Sequence, residues 1–366
     1  MDELNRDELS LYSRQLMIPE LGLSGQRKLK ASKALLIGAG GLGSPCANYL
    51  ARAGIGTIGL VDGDNVDASN LHRQTLFEHG DIGKPKLEVA KKRLESINPH
   101  IKVNVHAGLF DAQNALPIAS GYDILIDGTD NFPSRYLIND VAVALGKPNV
   151  WASVFQFEGR LSVFDASRGP CYRCLYPEAP PEGAAPNCAQ SGVLGVLPGI
   201  MGTMQALEVI KLAAGVGRPL LGALLHFDAL TMKWREFRIT KSKNCVCSGR
   251  GILNKLDRIP GCSGEKHRSG GEEINPHELK EKLEQRERFV LLDVREDAEW
   301  ALGHLPDALH IPLGQLADRI KEIDGDKEIV VYCRSGSRSA YAVTLLKSLG
   351  ITNVRNLKGG FAVLPI

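Results

Sequence analysis

From residue 33 onward, apolar runs of strand length alternate with segments that have helical spacing. The strand-like runs are KALLIGAG, TIGLVDGD, IKVNVHAG and YDILIDGTDN. Between them lie SPCANYLARAG and GKPKLEVAKKRLESINP, in which apolar residues recur at helical intervals. Parallel strands that are covered on both faces have nearly continuous apolar sequences. The pattern therefore predicts an α/β fold with a doubly wound, mainly parallel sheet.

The pattern changes twice further along the chain. GRLSVFD and ALLHFDALTMKWREFRIT alternate apolar and polar residues, which predicts an antiparallel extension of the sheet. Residues 249–272 are rich in Gly, Ser and charge with little periodicity, which is typical of a linker. Strand and helix patterns resume in FVLLDVRE, EIVVYCRSGSRS and AYAVTLLKSLG. We therefore predict a large domain over 1–248 and a smaller α/β domain over 273–366.

Composition narrows the class of protein only slightly. A chain of 366 residues with 43% hydrophobic and 23% charged residues is typical of a globular protein of two domains. The net charge of +2 includes no basic surplus, so we do not expect a nucleic-acid partner. The polar start MDELNRDELS is unlike a signal peptide. The apolar run from Gly192 to Met204 is shorter than the roughly 20 residues that span a bilayer. We expect a cytoplasmic protein with no membrane segment, in which this run forms a buried loop and helix.

A glycine-rich turn follows the first predicted strand and leads into a helix. Gly38, Gly40 and Gly43 have the G-x-G-x-x-G spacing of Rossmann-like nucleotide sites. Asp62 ends the next predicted strand, where an acidic residue can hold a ribose hydroxyl. These features alone leave both NAD and ATP open.

Further charged residues favour ATP over NAD. Arg14, Arg73 and Lys86 are cations that can offset charge on transferred or departing phosphates, and Asp130 is a carboxylate that can hold Mg²⁺. Hydride transfer does not require such a set. Each residue alone has an ordinary structural explanation, but together they point to ATP. An NAD-dependent oxidoreductase with an accessory domain remains the alternative.

Four motifs resemble the family of MoeB, ThiF and ubiquitin-activating enzymes over residues 8–245. They are GAGGLG, VDGD-x-V-x-x-SNLHRQ, IGKPK and DGTDN. The resemblance implies adenylylation of the C-terminal glycine of a ubiquitin-like sulfur-carrier protein. It implies that Asp62 holds the ribose and Asp130 binds Mg²⁺, in a homodimer where Arg14 enters the partner's site. The other nucleotide-binding residues that it implies are Gly40, Gly41, Gly43, Asp64, Asn70, Arg73, Gln74, Lys86 and Asn131.

Two close cysteine pairs predict a structural zinc site. Cys171-x-x-Cys174 and Cys245-x-Cys247 can supply four thiolates from two hairpin-like knuckles, which closes a tetrahedral Zn²⁺ site. The family resemblance supports a four-cysteine site here. The second pair is one residue shorter than the usual C-x-x-C, so Cys262 is an alternative ligand.

Cys188 lies in EAPPEGAAPNCAQSG, which reads as an exposed loop. Taken alone it is an ordinary loop thiol. The family carries a cysteine here, on a loop that crosses the adenylate, and the resemblance implies that Cys188 is an acyl acceptor.

Cys333 follows an apolar strand and begins a loop that runs to Arg338. Backbone N–H groups of such a loop, with the following helix N-terminus, can stabilise an anionic sulfur. LLDVRE, GHLPDALHIP, CRSGSRS and LKGG resemble a single rhodanese domain. This implies that Cys333 carries a persulfide, that Arg338 closes the loop, and that Asp293 and Arg295 brace the domain.

Rhodanese domains usually continue after the paired glycines into an aromatic residue and a terminal helix, whereas this sequence stops at FAVLPI. We therefore expect uncovered apolar surface and a less stable second domain.

The domain order resembles fusions of a MoeB-type adenylyltransferase to a rhodanese domain. It implies that the Cys333 persulfide attacks the acyl-adenylate and displaces AMP, and that reductive release through Cys188 leaves a thiocarboxylate on the carrier. The sulfur donor would be a cysteine desulfurase or thiosulfate. Such sulfur feeds molybdopterin, thiamine, tRNA thiolation or cysteine synthesis. A second alternative is that the rhodanese domain only docks a sulfur donor.

Overall fold

A computed structural model of the chain describes residues 3–180, 192–248, 273–285 and 287–364. The chain divides into two compact units. The described part of the first unit lies within 3–179 and 192–248, and that of the second is Pro180 and residues within 273–364. The predicted linker and two of the predicted functional cysteines, Cys188 and Cys262, lie outside the described residues.

The first unit is built on an eight-stranded sheet with the order β3-β2-β1-β4-β5-β6-β7-β8. Its strands are β1 Lys33–Ile37, β2 Thr57–Asp62, β3 Lys102–Ala107, β4 Ile124–Asp127, β5 Asn149–Phe155, β6 Glu158–Phe164, β7 Ala223–Asp228 and β8 Lys233–Arg238. Pairing is parallel from β3 to β5 and antiparallel from β5 to β8. Both the parallel sheet and its antiparallel extension are therefore as the sequence predicts.

Helices cover both faces of this sheet. They are α1 Arg6–Leu11, α2 Ser13–Leu16, α3 Gly22–Ala31, α4 Gly43–Ala53, α5 Lys86–Ile97, α6 Ala115–Ser120, α7 Phe132–Leu145, α8 Tyr172–Leu175 and α9 Val196–Ala214. Strand β1 shows the arrangement, because its side chains alternate between two cores. Ala34 and Leu36 pack in the core that includes α4, α5 and α9, while Leu35 and Ile37 pack with α6 and α7. The sheet is doubly wound.

Helix α9 is, within the described part of the chain, the one helix whose length and composition would allow it to cross a membrane. In this fold it is a core element. Leu197, Met201 and Val209 are fully buried in it. The Gln205 side chain donates hydrogen bonds to the backbone carbonyls of Asp127 and Val150, at 2.8 and 3.1 Å. The predicted buried helix in this apolar run is therefore present.

The second unit has a five-stranded parallel sheet with the order β11-β10-β12-β13-β9. Its strands are β9 Glu273–Ile274, β10 Val290–Asp293, β11 Leu309–His310, β12 Ile329–Tyr332 and β13 Val354–Leu357, and its helices are α10 Pro276–Glu284, α11 Asp297–Ala301 and α12 Ser337–Ser348. The residues after the paired glycines cover part of its core. Phe361 stacks on Tyr332 with ring centroids 6.0 Å apart, and Leu364 joins the same cluster. These residues therefore cover part of the core on this face, while Val363 is 50% and Leu302 91% exposed, so the expectation of uncovered apolar surface stays a prediction for the rest of the unit.

Asp293 and Arg295 brace the second unit, as the resemblance implies. Arg295 donates to both carboxylate oxygens of Asp293 at 2.7–3.0 Å, and both side chains are buried. The Arg295 guanidinium also lies over Phe361, 4.0 Å from the ring centroid. This pair therefore ties the end of β10 to the end of the described chain.

Candidate functional site

A cavity of about 640 Å³ lies at the carboxyl ends of β1, β2 and β4. The strand order reverses between β1 and β4, which is where doubly wound sheets bind ligands. Ten of the residues that the sequence assigns to nucleotide binding line it: Gly40, Gly41, Asp62, Asp64, Asn70, Arg73, Gln74, Lys86, Asp130 and Asn131. Folding thus brings together motifs that are far apart in the sequence.

The glycine turn after β1 is shaped by close backbone approach. Gly38 has φ of +92°, and a Cβ there would lie 2.9 Å from the Gly128 carbonyl oxygen. Gly43 is the first residue of α4, where a Cβ would come 2.0 Å from the Gly38 carbonyl oxygen. Gly43 is not among the residues that line the cavity. Packing of α4 against the turn therefore explains glycine at this position, while Gly40 and Gly41 face the cavity.

Asp62 is held rigidly at the cavity edge. Its Oδ2 accepts a hydrogen bond from the Ala39 N–H and its Oδ1 accepts one from the Asp64 N–H, both at 2.8 Å. The first contact joins the end of β2 to the glycine turn, so the Asp62 carboxylate has a fixed position beside that turn.

Two cations are fixed beside the cavity by neighbouring groups. Lys86 is 4% exposed, and its Nζ lies 2.8 Å from Oδ2 of Asp64. Arg73 donates from Nη1 to the Ser69 carbonyl oxygen at 2.8 Å, and the same atom lies 2.8 Å from Nε2 of His72. Desolvation, and next the Arg73 charge, lower the pKa of His72, so a neutral imidazole can accept this bond. Charges held in place before the ligand arrives stabilise transition-state charge without reorganisation.

The sequence analysis missed a buried charged group behind the cavity. Asp127 ends β4, is fully buried, and accepts from the N–H and O–H of Thr129 at 3.0 and 2.6 Å. Burial raises the pKa of Asp127 to about 6, against the opposing charge of Arg135. Thr129 and Arg135 both line the cavity. The sequence feature that could have indicated Asp127 is its position as the first residue of DGTDN, at the end of an apolar strand.

Asp130 and Asn131 stand at the start of α7. Asp130 is exposed on the cavity rim. The Asn131 side chain accepts a hydrogen bond from the Ser134 N–H at 3.0 Å and so caps the helix. Arg14 is exposed on α2 and does not line the cavity of its own chain.

The two cysteine pairs form one cluster. The Sγ atoms of Cys171 and Cys245 are 3.4 Å apart, those of Cys174 and Cys247 are 3.5 Å apart, and all four lie within 4.8 Å of one another. Zinc–sulfur bonds of about 2.3 Å in tetrahedral geometry separate sulfurs by about 3.8 Å. The donor set therefore fits zinc, and the shortened C-x-C pair reaches the cluster.

The knuckles differ in form from the prediction. Each is a helical turn, α8 and the 3₁₀ turn Val246–Ser248, and not a hairpin. Burial raises the pKa of Cys171 and raises that of Cys245 to about 11, so these thiols without a cation would be protonated at neutral pH.

In the second unit, Cys333 begins a tight loop between β12 and α12. The residue is 1% exposed, and its Sγ accepts from the Gly336 N–H at 3.1 Å and from the Ser339 O–H at 3.3 Å. Gly336 has φ of +96°, and a Cβ there would lie 3.2 Å from the Gly359 nitrogen. The Phe361 N–H donates to the Cys333 carbonyl oxygen at 2.7 Å. The loop thus packs against the paired glycines and directs donors at the sulfur.

Arg338, at the end of the Cys333 loop, is held by a residue that the sequence analysis missed. It is 6% exposed and donates to both carboxylate oxygens of Glu299 at 2.6 and 2.7 Å. Burial alone would raise the pKa of Glu299, but the hydrogen bond from Arg338 outweighs it and the pKa is lowered. The signal in the sequence is slight, since Glu299 is one of three acids in REDAEW.

Residues 12–249 match the ThiF family and residues 275–363 match the rhodanese-like domain. The chain belongs to the ThiF family and carries a rhodanese-like domain after it. Relatives that align with nearly all of it include the following two. "Probable adenylyltransferase/sulfurtransferase MoeZ" of Mycobacterium tuberculosis is 42% identical over 98% of this chain and 93% of its own length. "Adenylyltransferase and sulfurtransferase MOCS3" of Arabidopsis thaliana is 40% identical over 98% and 83%.

Among solved structures, E. coli MccB with MccA-N7isoASN aligns with a TM-score of 0.59 and 25% identity, over 68% of this chain and 76% of that one.

The predicted class of protein is confirmed: the chain is an adenylyltransferase and sulfurtransferase. An NAD-dependent oxidoreductase is not favoured.

Proposed function

We propose that the first unit uses ATP to adenylylate the C-terminal glycine of a ubiquitin-like sulfur carrier, and that Cys333 then supplies sulfur to give a thiocarboxylate. One observation carries the first step. A single cavity holds a fixed carboxylate at Asp62, a buried cation at Lys86 and a second cation at Arg73.

In the proposed reaction the carrier's carboxylate attacks the α-phosphate of ATP, and pyrophosphate leaves. The barrier includes repulsion between two anions. Lys86 and Arg73 would reduce it by facing the phosphates with charges that are already oriented. Mg²⁺, held by Asp130, would neutralise further phosphate charge when bound. Asp62 would accept a hydrogen bond from the ribose.

A homodimer would complete the site with Arg14 of the partner subunit. Exposed apolar side chains flank this residue at the end of α1 and just after α2: Leu11 is 50%, Met17 72% and Ile18 48% exposed. An exposed apolar surface of this kind favours association. We propose that this surface meets a second copy of the chain, which brings Arg14 to the partner's cavity.

Sulfur transfer would begin with a persulfide on Cys333, formed from a cysteine desulfurase or from thiosulfate. Its terminal sulfur attacks the acyl carbon of the adenylate and AMP leaves, which gives an acyl disulfide. A thiol, proposed to be Cys188, then attacks the Cys333 sulfur. The carrier departs as a thiocarboxylate, and a cellular thiol reductant reopens the Cys188–Cys333 disulfide. The Gly336 N–H and Ser339 O–H support the step by donating to the Cys333 sulfur. We propose that these reactions take place in the cytoplasm.

The test of adenylylation is exchange of labelled pyrophosphate into ATP with a ubiquitin-like sulfur carrier present. Exchange is expected with the intact carrier and is expected to vanish when its last glycine is deleted. An enzyme that gave no exchange but transferred hydride to NAD would contradict the proposal.

We propose that the cysteine cluster holds one structural zinc ion. Replacing Cys247 by Ser is expected to abolish stoichiometric zinc binding and to lower the melting temperature of the first unit by about 5 °C or more, because metal binding contributes directly to folding. Zinc analysis and calorimetry measure both. Cys333→Ala, a change in the second unit, is the control and should retain zinc. Full zinc in the Cys247→Ser protein would exclude this ligand set.

Glu299 is expected to matter for sulfur transfer and not for adenylylation. Glu299→Gln keeps the size of the side chain but removes the charge that holds Arg338, so thiosulfate:cyanide sulfurtransfer should fall by about tenfold, since a misplacement of about 1 Å in a reacting site can cost up to about 100-fold. Pyrophosphate exchange should stay unchanged. The matched control is Glu322→Gln, which breaks a similar two-bond pair with Arg319 at the surface, both bonds at 2.7 Å. Equal losses in both variants would rule out a specific role for Glu299.

A further inference from the structure

One helix, α7, connects the cysteine cluster with the wall of the nucleotide cavity. Its first turn belongs to the cavity, because Asn131 caps the helix and Pro133, Ser134 and Arg135 line the space. The following turns carry Tyr136, Asn139 and Asp140, which are buried. The contacts that fix these turns of α7 therefore also set the position of the cavity wall.

The segment between the first two cysteines binds these turns directly. The Tyr172 N–H donates to Oδ1 of Asn139 at 2.8 Å. Arg173 donates from Nε and Nη2 to the two carboxylate oxygens of Asp140 at 2.7 and 2.8 Å. Asp140 is 4% exposed. A two-bond pair with a buried carboxylate fixes both distance and orientation, unlike a typical surface ion pair.

A third contact secures the same face of the helix. The Tyr136 hydroxyl donates to the Tyr176 carbonyl oxygen at 3.0 Å, just beyond the second cysteine. The Arg173 guanidinium also lies over the Tyr136 ring, 4.6 Å from its centroid. A helix rises about 1.5 Å per residue with continuous backbone hydrogen bonds, so a shift at Asp140 is transmitted to Arg135 little more than one turn away.

We propose that Arg173 and Asp140 are positioning residues for adenylylation, through which the cysteine cluster sets the place of the cavity wall at the start of α7. The cluster then governs affinity for the nucleotide as well as stability. This inference rests on the proposed function only in that ATP is taken to occupy the cavity. Neither residue touches the nucleotide; both act through Arg135 and the turn that presents Asp130.

The experiment compares full-length Arg173→Met with the unaltered protein by calorimetric titration with ATP, by zinc analysis and by hydrogen exchange of residues 129–136. The expected result is retained zinc, faster exchange in this segment and a dissociation constant for ATP raised roughly 2- to 30-fold. Arg173→Lys keeps the charge but cannot form the two-bond pair with Asp140. Its dissociation constant for ATP should lie between those of the unaltered protein and Arg173→Met. Asp140→Asn leaves the cysteine segment unchanged and decides the question if Arg173→Met loses zinc or does not fold.

The matched control is Arg168→Met. Arg168 pairs with buried Asp165 at 2.6 Å and does not line the cavity. Its loss should leave ATP affinity unchanged. Because Arg173 and Asp140 act as one unit, the two losses should not add. The double variant should bind ATP no more weakly than the single variant with the lower affinity. The inference would be overturned if both Arg173→Met and Asp140→Asn bound ATP with a dissociation constant within about twofold of that of the unaltered protein. Such a change lies below the range expected of coupled residues. If the unaltered protein bound ATP but gave no carrier-dependent pyrophosphate exchange, the proposed function would be contradicted. The ATP titrations would still decide this inference, because they measure nucleotide affinity alone.

Discussion

Replacing Lys86 by Met is expected to lower carrier-dependent pyrophosphate exchange by about 10²- to 10³-fold, the usual effect of removing one oriented group that stabilises transition-state charge. Met is unbranched and only one heavy atom shorter than Lys, and it removes the ammonium with its charge and its N–H donors. Lys86 is 4% exposed and lines the cavity, and its ammonium is held 2.8 Å from Oδ2 of Asp64.

Folding should be nearly unaffected by Lys86→Met, because the carboxylate that it leaves behind stays hydrated. The side chain of Asp64 is 68% exposed. The control is Lys91→Met on the same helix, where the side chain is 43% exposed and pairs weakly with Glu95 at 3.9 Å. Calorimetry should find both variants folded, and only Lys86→Met should show the lowered exchange rate. Equal exchange rates in the two variants would remove Lys86 from the proposed mechanism.

Cys333→Ala is expected to abolish thiocarboxylate formation while pyrophosphate exchange continues at the rate of the unaltered protein. The sulfur accepts two hydrogen bonds in a loop closed by Arg338 and Glu299, and alanine leaves those donors with nothing to stabilise. Separate assays of exchange and of the carrier's product distinguish the two steps. Ser339→Ala removes one donor only and should give a partial loss. A thiocarboxylate yield that is unchanged by Cys333→Ala would favour the alternative in which the second unit only docks a sulfur donor.

The cavity could be predicted from the sequence because its residues follow strands. Carboxyl ends of parallel strands meet at one edge of the sheet, so motifs that end β1, β2 and β4 must converge whatever lies between them. The same reasoning gave both layers of helices, since each parallel strand is a nearly continuous apolar run. The period-two alternation after β5 likewise predicted the antiparallel strands.

Contacts between side chains of distant segments could not be predicted. Glu299 and Arg338 are 39 residues apart, and Asp140 and Arg173 are 33 apart, with no spacing rule that connects them. The buried Asp127 was missed because its place in DGTDN shows only that an acid follows an apolar strand, whereas its complete burial is a property of the folded chain. Gly43 is the opposite case. The motif predicts that it contacts the ligand, but the structure explains glycine there by the close packing of α4 against the turn.

The central claim is that this chain uses ATP to make a carrier's terminal carboxylate accept sulfur. The most direct test is the intact mass of a ubiquitin-like sulfur carrier after incubation with the enzyme, ATP, thiosulfate and a thiol reductant. The account predicts a gain equal to the replacement of one oxygen by sulfur, which requires ATP and is absent with Lys86→Met and with Cys333→Ala. A carrier that gains sulfur without ATP, or that keeps its original mass with all components present, would contradict the account.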